Sequence, residues 1–229
     1  MNSNKKLGRF VGVLFLLIFI SGIIVYQFLQ GPILFADNFL AIASYSSLQI
    51  IISTLLGILS GLTSIVIATM LLPIFKRYSF NLAFMYFAFS ILNFIAISVD
   101  NISVLSMLEL SQQYVKSGAD EAHVLKTMGS IFYKKHWWTH YLSLLISCFP
   151  VFVLYYTFYV SKLIPRSISV FGIIAVIFMF IEILSSIFGH GIGMNMLLPI
   201  GLVQLFLPIW LIFKGLNSSK EMSSSLTES

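Results

Sequence analysis

Six long apolar stretches run along the chain, and nearly all of the charged residues fall in the gaps between them. A helix needs about 20 consecutive apolar residues to cross the hydrocarbon core of a bilayer. Because no water reaches that core to bind backbone amides, each stretch has to be helical there. The pattern predicts six membrane-spanning helices, at residues 10–29, 49–73, 81–108, 137–160, 167–189 and 196–213.

The expected fold class is therefore all-α, a polytopic transmembrane helical bundle of six spans. A transmembrane β-barrel needs segments of about 10 residues with alternating polarity, and no such segments occur in the sequence. We expect one six-helix domain over residues 1–217 and a disordered, serine-rich polar tail over 218–229.

Composition narrows the class of protein further. Hydrophobic residues make up 59% of the chain and charged residues 9%, whereas a soluble domain has about 25% charged residues. The net charge of +5 is spread over the ends of the spans, which argues against a nucleic-acid partner. The single cysteine, Cys148, excludes an internal disulfide. No phosphate-binding loop, dinucleotide fingerprint or nucleophile elbow is present, so soluble enzymology is excluded and no cofactor is predicted.

The basic residues predict the orientation, because Lys and Arg are enriched in cytoplasmic segments. With the N-terminus inside, nine of the 13 Lys and Arg residues, Lys76 and Lys162 among them, fall on the inner side. Both termini are then cytoplasmic. Trp137, Trp138 and Tyr141 fall at the outer end of the fourth span, as expected for an interfacial aromatic belt.

The gap at 109–136 is the one substantial polar segment between spans. Apolar residues at helical spacing from Val124 to Phe132 predict a short amphipathic helix, over about 118–134, that lies on the outer interface. The gap at 30–47 is expected to hold a smaller element of the same kind.

Small residues four apart occur in two spans. Gly57 and Gly61 lie in the second span, and Gly8 and Gly12 lie at the start of the first. This spacing lets helix backbones approach closely, so we expect tight helix packing at both places.

Polar residues within or next to spans three to five are the candidates for function. They are Asn93 and Asp100 in the third span, His136 and His140 at the start of the fourth, Glu182 in the fifth, and His190 just beyond it. A charged side chain deep in the bilayer is costly, so it normally faces protein or water. Glu182 is the deepest charge and ranks first, with Asp100 second. The carboxylates and histidines fall in the outer half of the predicted topology, which indicates an outward-facing polar pocket.

Two other hypotheses use the same residues. Histidines one helical turn apart can share a metal, so an intramembrane metal-dependent hydrolase using His136, His140 and His190 is an alternative. The metalloprotease motif requires Glu directly after the first His, but Trp137 stands there, and no metal is predicted. The third hypothesis is a structural or regulatory membrane subunit in which the polar groups only fix helix packing.

Three stretches, Gly8–Ile23, Leu163–Ile174 and Leu198–Asn217, make the chain resemble the DUF4386 family of bacterial integral membrane proteins. The resemblance covers roughly residues 8–217 and implies a helical bundle in a bacterial cytoplasmic membrane. The family has no established activity, so the resemblance implies no site residues.

The sequence thus predicts a multi-pass membrane protein whose activity it does not reveal. The leading hypothesis is transport of a small solute or ion, or interaction with lipid, through the outward-facing pocket. The expected partners are membrane lipid, a small solute or ion, and either another membrane protein or a second copy of the chain.

Overall fold

A computed structural model describes residues 3–117 and 119–217 of the chain. Over these residues the protein is almost entirely helical and has no strand. The elements in chain order are α1 (Ser3–Ile23), the π-helix Ile24–Gln30, α2 (Gly31–Leu34), α3 (Phe39–Tyr45), α4 (Ser47–Phe75), α5 (Phe80–Lys116), α6 (Ala119–Ser161), α7 (Arg166–Ile187), the 3₁₀ helix Met194–Leu197, and α8 (Leu198–Lys214). The predicted polar tail over 218–229 lies outside the described residues.

Among the described residues, six helical runs are long and apolar enough to cross a membrane. They are Asn4–Leu34, Ser47–Phe75, Phe80–Lys116, Glu121–Ser161, Arg166–Ile187 and Asn195–Lys214. Each of the six predicted spans corresponds to one of these runs, so the prediction of an all-α, multi-pass membrane protein with six spans is confirmed. The orientation of the termini stays a prediction.

The fifth span ends two residues earlier than the hydropathy pattern predicts. α7 ends at Ile187, and Gly189 follows with a φ of 80°. A residue in the left-handed region cannot continue an α-helix, and glycine adopts it without steric cost. Apolar residues alone do not report such an end, so the prediction extended to residue 189.

α5 and α6 are longer than a bilayer requires. With 37 and 43 residues, they are roughly 55 and 65 Å long, whereas the hydrocarbon core is about 30 Å thick. The segment predicted as a separate amphipathic helix over 118–134 is instead continuous with the fourth span in α6. The junction Lys134–Trp137 contains neither glycine nor proline, so nothing in it ends the helix.

The chain divides into two compact units. Unit 1 comprises the described residues of Met1–Phe19, Thr63–Asn93 and Leu144–Ser229, and unit 2 comprises Ile20–Leu62 and Phe94–Ser143. α1, α4, α5 and α6 each contribute residues to both units. The single domain expected over 1–217 stays a prediction.

In unit 2, the residues of the gap at 30–47 pack against the extended ends of α5 and α6. Ile33, Leu34 and Ala43 form a buried apolar cluster with Ile50 of α4 and with three residues of α5. Those three are Val104, Met107 and Leu108, and the partly buried side chains of Phe39, Phe132 and Tyr133 pack against the cluster. The segment 30–47 thus forms two short helices, α2 and α3, which are stabilised by the burial of their apolar side chains.

The π-helix of the first span has an identifiable cause. Pro32 has no N–H, so the Phe28 carbonyl lacks the donor that a regular α-helix would supply four residues later. Gln49 of α4 compensates, because its Nε2 donates to the carbonyl oxygens of Phe28 at 3.0 Å and Leu29 at 2.9 Å. The Gly31 amide donates to the Tyr26 carbonyl, five residues back, which is the hydrogen-bond pattern of a π-helix.

The small residues of α4 contact α5 closely in unit 2. An ideal Cβ placed on Gly57 would lie 2.9 Å from Asn101 Nδ2, and one on Gly61 would lie 2.8 Å from the Phe94 ring. A side chain at either position would require Asn101 or Phe94 to shift, so these glycines lie in tight helix packing, as expected.

In unit 1, the three stretches that carry the family resemblance meet. Gly8 packs against Leu216, and an ideal Cβ on Gly12 would lie 2.8 Å from the Leu211 Cβ. Asn217 donates through its backbone amide to the Leu163 carbonyl at 2.9 Å and through Nδ2 to the Lys162 carbonyl at 3.0 Å. Residues of these three stretches therefore build one packed junction of α1, α8 and the turn before α7.

Candidate functional site

A buried carboxylate lies between two histidines in unit 2. Asp100 of α5 is 7% exposed. Its Oδ1 lies 3.0 Å from His136 Nδ1, and its Oδ2 lies 3.2 Å from His140 Nδ1. Each carboxylate oxygen therefore has its own imidazole partner, and the sequence-predicted residues Asp100, His136 and His140 are brought together.

α6 presents both histidines on one face because residues four apart lie one above the other on a helix. Their ring centroids are 5.8 Å apart. Thr139 lies on the same face, and its Oγ1 donates to Asp100 Oδ1 at 2.8 Å. One helical turn of α6 thus places one hydroxyl donor and two imidazole Nδ1 atoms, which donate when protonated, at a single carboxylate of α5.

Two hydroxyl groups extend the network. Ser103, on the turn after Asp100, has its Oγ 2.9 Å from Thr139 Oγ1 and 3.2 Å from His136 Nδ1. A hydroxyl has one proton to donate. The Thr139 proton goes to Asp100 Oδ1, and the single Ser103 proton is available either to the Asp100 backbone carbonyl at 2.7 Å or to Thr139 Oγ1. We call Asp100, Ser103, His136, Thr139 and His140 the Asp100 cluster.

The two imidazole rings have the same orientation toward the carboxylate. Both use Nδ1, so a neutral ring with its proton on Nδ1 has a free lone pair on Nε2. Over residues 3–117 and 119–217, neither Nε2 has a hydrogen-bond partner. The His136 and His140 side chains are 13% and 24% exposed. Each ring can therefore accept a proton or a hydrogen bond on the side away from Asp100.

Aromatic rings surround His140. Tyr26 of the π-helix has its ring centroid 5.3 Å from that of His140, at an interplanar angle of 61°. Tyr141 contacts His140 at 6.1 Å and Trp137 at 4.5 Å. The two contacts that His140 makes with these tyrosines are edge-to-face, an arrangement that is favourable for aromatic rings.

The second predicted carboxylate has different partners. Glu182 of α7, in unit 1, is 7% exposed. Its Oε2 accepts from the backbone amides of Ile192 at 2.9 Å and Gly193 at 3.1 Å, and its Oε1 accepts from Ser186 Oγ at 3.1 Å. The carboxylate thus fastens the loop that follows α7 to the end of that helix.

The other two predicted residues lie apart from these contacts. Asn93 belongs to unit 1, and its buried Oδ1 has no hydrogen-bond partner among the described residues. His190 is exposed in the loop after α7, where its backbone amide donates to the Ser185 carbonyl at 2.8 Å. The single pocket shared by spans three, four and five stays a prediction.

The geometry of the Asp100 cluster is that of a hydrogen-bond network. Both Nδ1 atoms lie within hydrogen-bond distance of carboxylate oxygens. In the part of the chain that the structure describes, no group of three or more His, Cys, Asp or Glu side chains has an arrangement that could hold a metal ion.

An open groove of about 540 Å³ also lies in unit 2, beside the π-helix. Its lining consists of Phe28, Leu29, Tyr45, Ser46, Ser47, Leu48, Gln49 and Ile52. No residue of the Asp100 cluster lines it. The Gln49 side chain, which binds the π-helix carbonyls, forms part of its wall.

The sequence interpretation missed two members of the site. Thr139 is a polar residue three positions after His136 on a predicted helix, and that spacing could have indicated it. Tyr26 has no such signal, because its contact with His140 depends on the π-helix and hence on Gln49 of another span.

A family model described as "Domain of unknown function (DUF4386)" matches residues 10–215. No curated protein matches the chain, and no solved structure matches it.

Proposed function

Because the chain belongs to the DUF4386 family, whose function is unknown, we propose its function from the Asp100 cluster. The protein binds protons at this cluster and moves them across the membrane down their electrochemical gradient. The observation that carries the proposal is a buried carboxylate whose two oxygens lie 3.0 and 3.2 Å from the Nδ1 atoms of two imidazoles on membrane-spanning helices.

The chemistry of these side chains favours protons over other cargo. Imidazole changes its charge nearer to neutral pH than any other side chain, and ionisable groups inside transmembrane helices commonly mark ion pathways and proton relays. With Nδ1 on Asp100 and Nε2 free, His136 and His140 can each take a proton on Nε2. The imidazolium that forms then lies against the negative carboxylate, which stabilises it.

The hydroxyl groups give the cluster a second connection. Ser103 and Thr139 can each donate and accept, so a proton that leaves one oxygen can be replaced from the next. The distances of 2.8 Å from Thr139 to Asp100 and 2.9 Å from Ser103 to Thr139 are those of ordinary hydrogen bonds. In the predicted topology this end of α5 and α6 faces outward, so we place proton entry on the outer side of a bacterial cytoplasmic membrane.

Proton movement can be measured with the purified protein in liposomes that contain a pH-sensitive dye, after a membrane potential is imposed. We expect wild-type liposomes to acidify or alkalinise faster than empty ones. Asp100→Asn should lower the rate by roughly 10²-fold, the contribution typical of a positioned proton-transfer group. Asp37→Asn is the matched control, because Asp37 is an exposed carboxylate in the same unit.

Two outcomes would reject the proposal. One is a wild-type rate equal to that of empty liposomes at potentials of both signs. The other is an Asp100→Asn rate equal to that of wild type, which would leave the cluster with the structural role of joining α5 to α6. His140→Gln, compared with the exposed His123→Gln on the same helix, repeats the test on the imidazole side.

A further inference from the structure

The π-helix determines where Tyr26 lies. Its hydrogen bonds run five residues back rather than four, so a side chain on it has a different direction from one on a continued α-helix. Tyr26 lies in the middle of the first π-helical turn and contacts His140 of α6. Single π-helical turns are rare and occur frequently at functional sites.

The π-helix is also fastened at its C-terminal end. Gln49 Nε2 donates to the carbonyl oxygens of Phe28 and Leu29. The buried Gln30 donates through Nε2 to Ser53 Oγ at 3.1 Å. These contacts come from α4, while Tyr26 contacts α6. The π-helix is therefore hydrogen-bonded to α4, and it contacts α6 through the Tyr26 ring.

His140 has a defined set of neighbours that can influence its protonation. Asp100 of α5 binds its Nδ1, His136 lies one turn before it on α6, and Tyr141 contacts its ring on the same helix. From the first span, Tyr26 is the ionisable residue in contact with the ring. A histidine ring can rotate about its side-chain bonds, and the Tyr26 ring lies edge-on against His140 with the centroids 5.3 Å apart.

We propose that Tyr26, held by the π-helix, is a positioning residue for the Asp100 cluster. Its ring fixes the His140 ring so that Nδ1 faces Asp100 and Nε2 stays free to exchange a proton. This inference rests on the proposed function, because it assigns to Tyr26 the task of keeping the proton-binding histidine in its competent orientation.

The test uses the full chain in lipid bilayers, with ¹⁵N-labelled histidine and solid-state NMR to measure the fraction of His140 that has its proton on Nδ1. Tyr26→Leu removes the ring, and Tyr26→Phe retains it. Tyr45→Leu is the matched control, since Tyr45 is 81% exposed. An aromatic contact is typically worth enough to change such a ratio by about 2- to 10-fold, so we expect that loss in Tyr26→Leu and wild-type ratios in the other two variants.

A second variant reaches the same contact from a distance. Gln49→Leu removes the donor to the π-helix carbonyls without touching the cluster, and it should shift the His140 ratio in the same direction as Tyr26→Leu. The pH profile of proton flux in liposomes should change in Tyr26→Leu and be restored in Tyr26→Phe.

The outcomes separate this inference from the proposed function. If wild type carries protons and Asp100→Asn does not, but Tyr26→Leu leaves both the His140 proton position and the pH profile unchanged, the role of Tyr26 is refuted and the function stands. If wild-type flux equals that of empty liposomes, the function is refuted. In that case a changed fraction of His140 with its proton on Nδ1 in Tyr26→Leu would show only that the two rings are in contact. The positioning role would be refuted, because it requires proton flux.

Discussion

The sharpest consequence of the Asp100 cluster concerns the free energy of unfolding of Asp100→Asn. The carboxylate accepts from His136 Nδ1 at 3.0 Å, His140 Nδ1 at 3.2 Å and Thr139 Oγ1 at 2.8 Å. An asparagine side chain has the same shape but only one oxygen, and its amide group donates. If that oxygen takes the place of Oδ1, the amide nitrogen faces His140 Nδ1, and two donors oppose each other unless His140 moves its proton to Nε2.

The magnitude follows from the number of contacts that change. Hydrogen bonds between membrane helices contribute about 0.6 kcal/mol on average and up to about 1.7 kcal/mol each. Loss of the His140 contact alone therefore gives about 0.6–1.7 kcal/mol, and loss of all three contacts to the carboxylate sets an upper bound of about 5 kcal/mol. Asp37→Asn should change the free energy of unfolding by less than about 0.5 kcal/mol, because that side chain is exposed.

A double-mutant cycle isolates the contact between Asp100 and His140. Free energies of unfolding are measured by reversible denaturation in mixed micelles for wild type, Asp100→Asn, His140→Gln and the double variant. We expect a coupling energy of about 0.6–1.7 kcal/mol. A coupling energy of zero, or an Asp100→Asn variant as stable as wild type, would refute the inference that the carboxylate joins α5 to α6.

Three further predictions concern other parts of the chain. Glu182→Gln should speed hydrogen exchange of the two loop amides bound to the carboxylate by roughly 10-fold, since a neutral amide accepts more weakly than a carboxylate; unchanged exchange would contradict this role. Gly12→Ala should destabilise the protein by about 1–3 kcal/mol, because the new Cβ would lie within 2.9 Å of the backbone of α8. The control Gly22→Ala, whose Cβ has no neighbour within 4 Å among the described residues, should cost nothing. In a background whose native cysteine is replaced, Lys76→Cys and Lys162→Cys should both react with an impermeant thiol reagent from the cytoplasmic side; labelling from opposite sides would overturn the predicted topology.

The spans could be predicted because the hydrocarbon core of the membrane requires an apolar segment that crosses it to be helical. An apolar stretch of sufficient length in hydrocarbon has to be helical whatever its neighbours are, so hydropathy located all six. The ends of the helices depend on local backbone conformation and on packing. Gly189 ends α7 early, and the first helical run continues to Leu34 because Gln49 supplies a donor that Pro32 lacks.

The candidate site was predictable only in part, for a related reason. An ionisable residue in a span and two histidines one turn apart are visible in the sequence, and burial cost predicts that they face protein. Which helix faces which is not visible. Two of the partners of Glu182 are backbone amides, which occur at nearly every residue and leave no pattern in the sequence.

Glu182 and Asp100 are equally buried, at 7% exposure, yet their partners give them different chemical capacities. The two backbone amides that bind Glu182 cannot gain or lose a proton near neutral pH, so the charge of these partners stays constant. The partners of Asp100 include two imidazoles, each of which can change its charge. A proton that arrives at His136 or His140 strengthens the attraction to Asp100, and its departure weakens it. Although its depth in the predicted spans ranked Glu182 first, the chemistry of the partners favours Asp100 as the residue that responds to protons. We therefore expect Glu182→Gln to change loop exchange without changing proton flux, and Asp100→Asn to change both flux and stability.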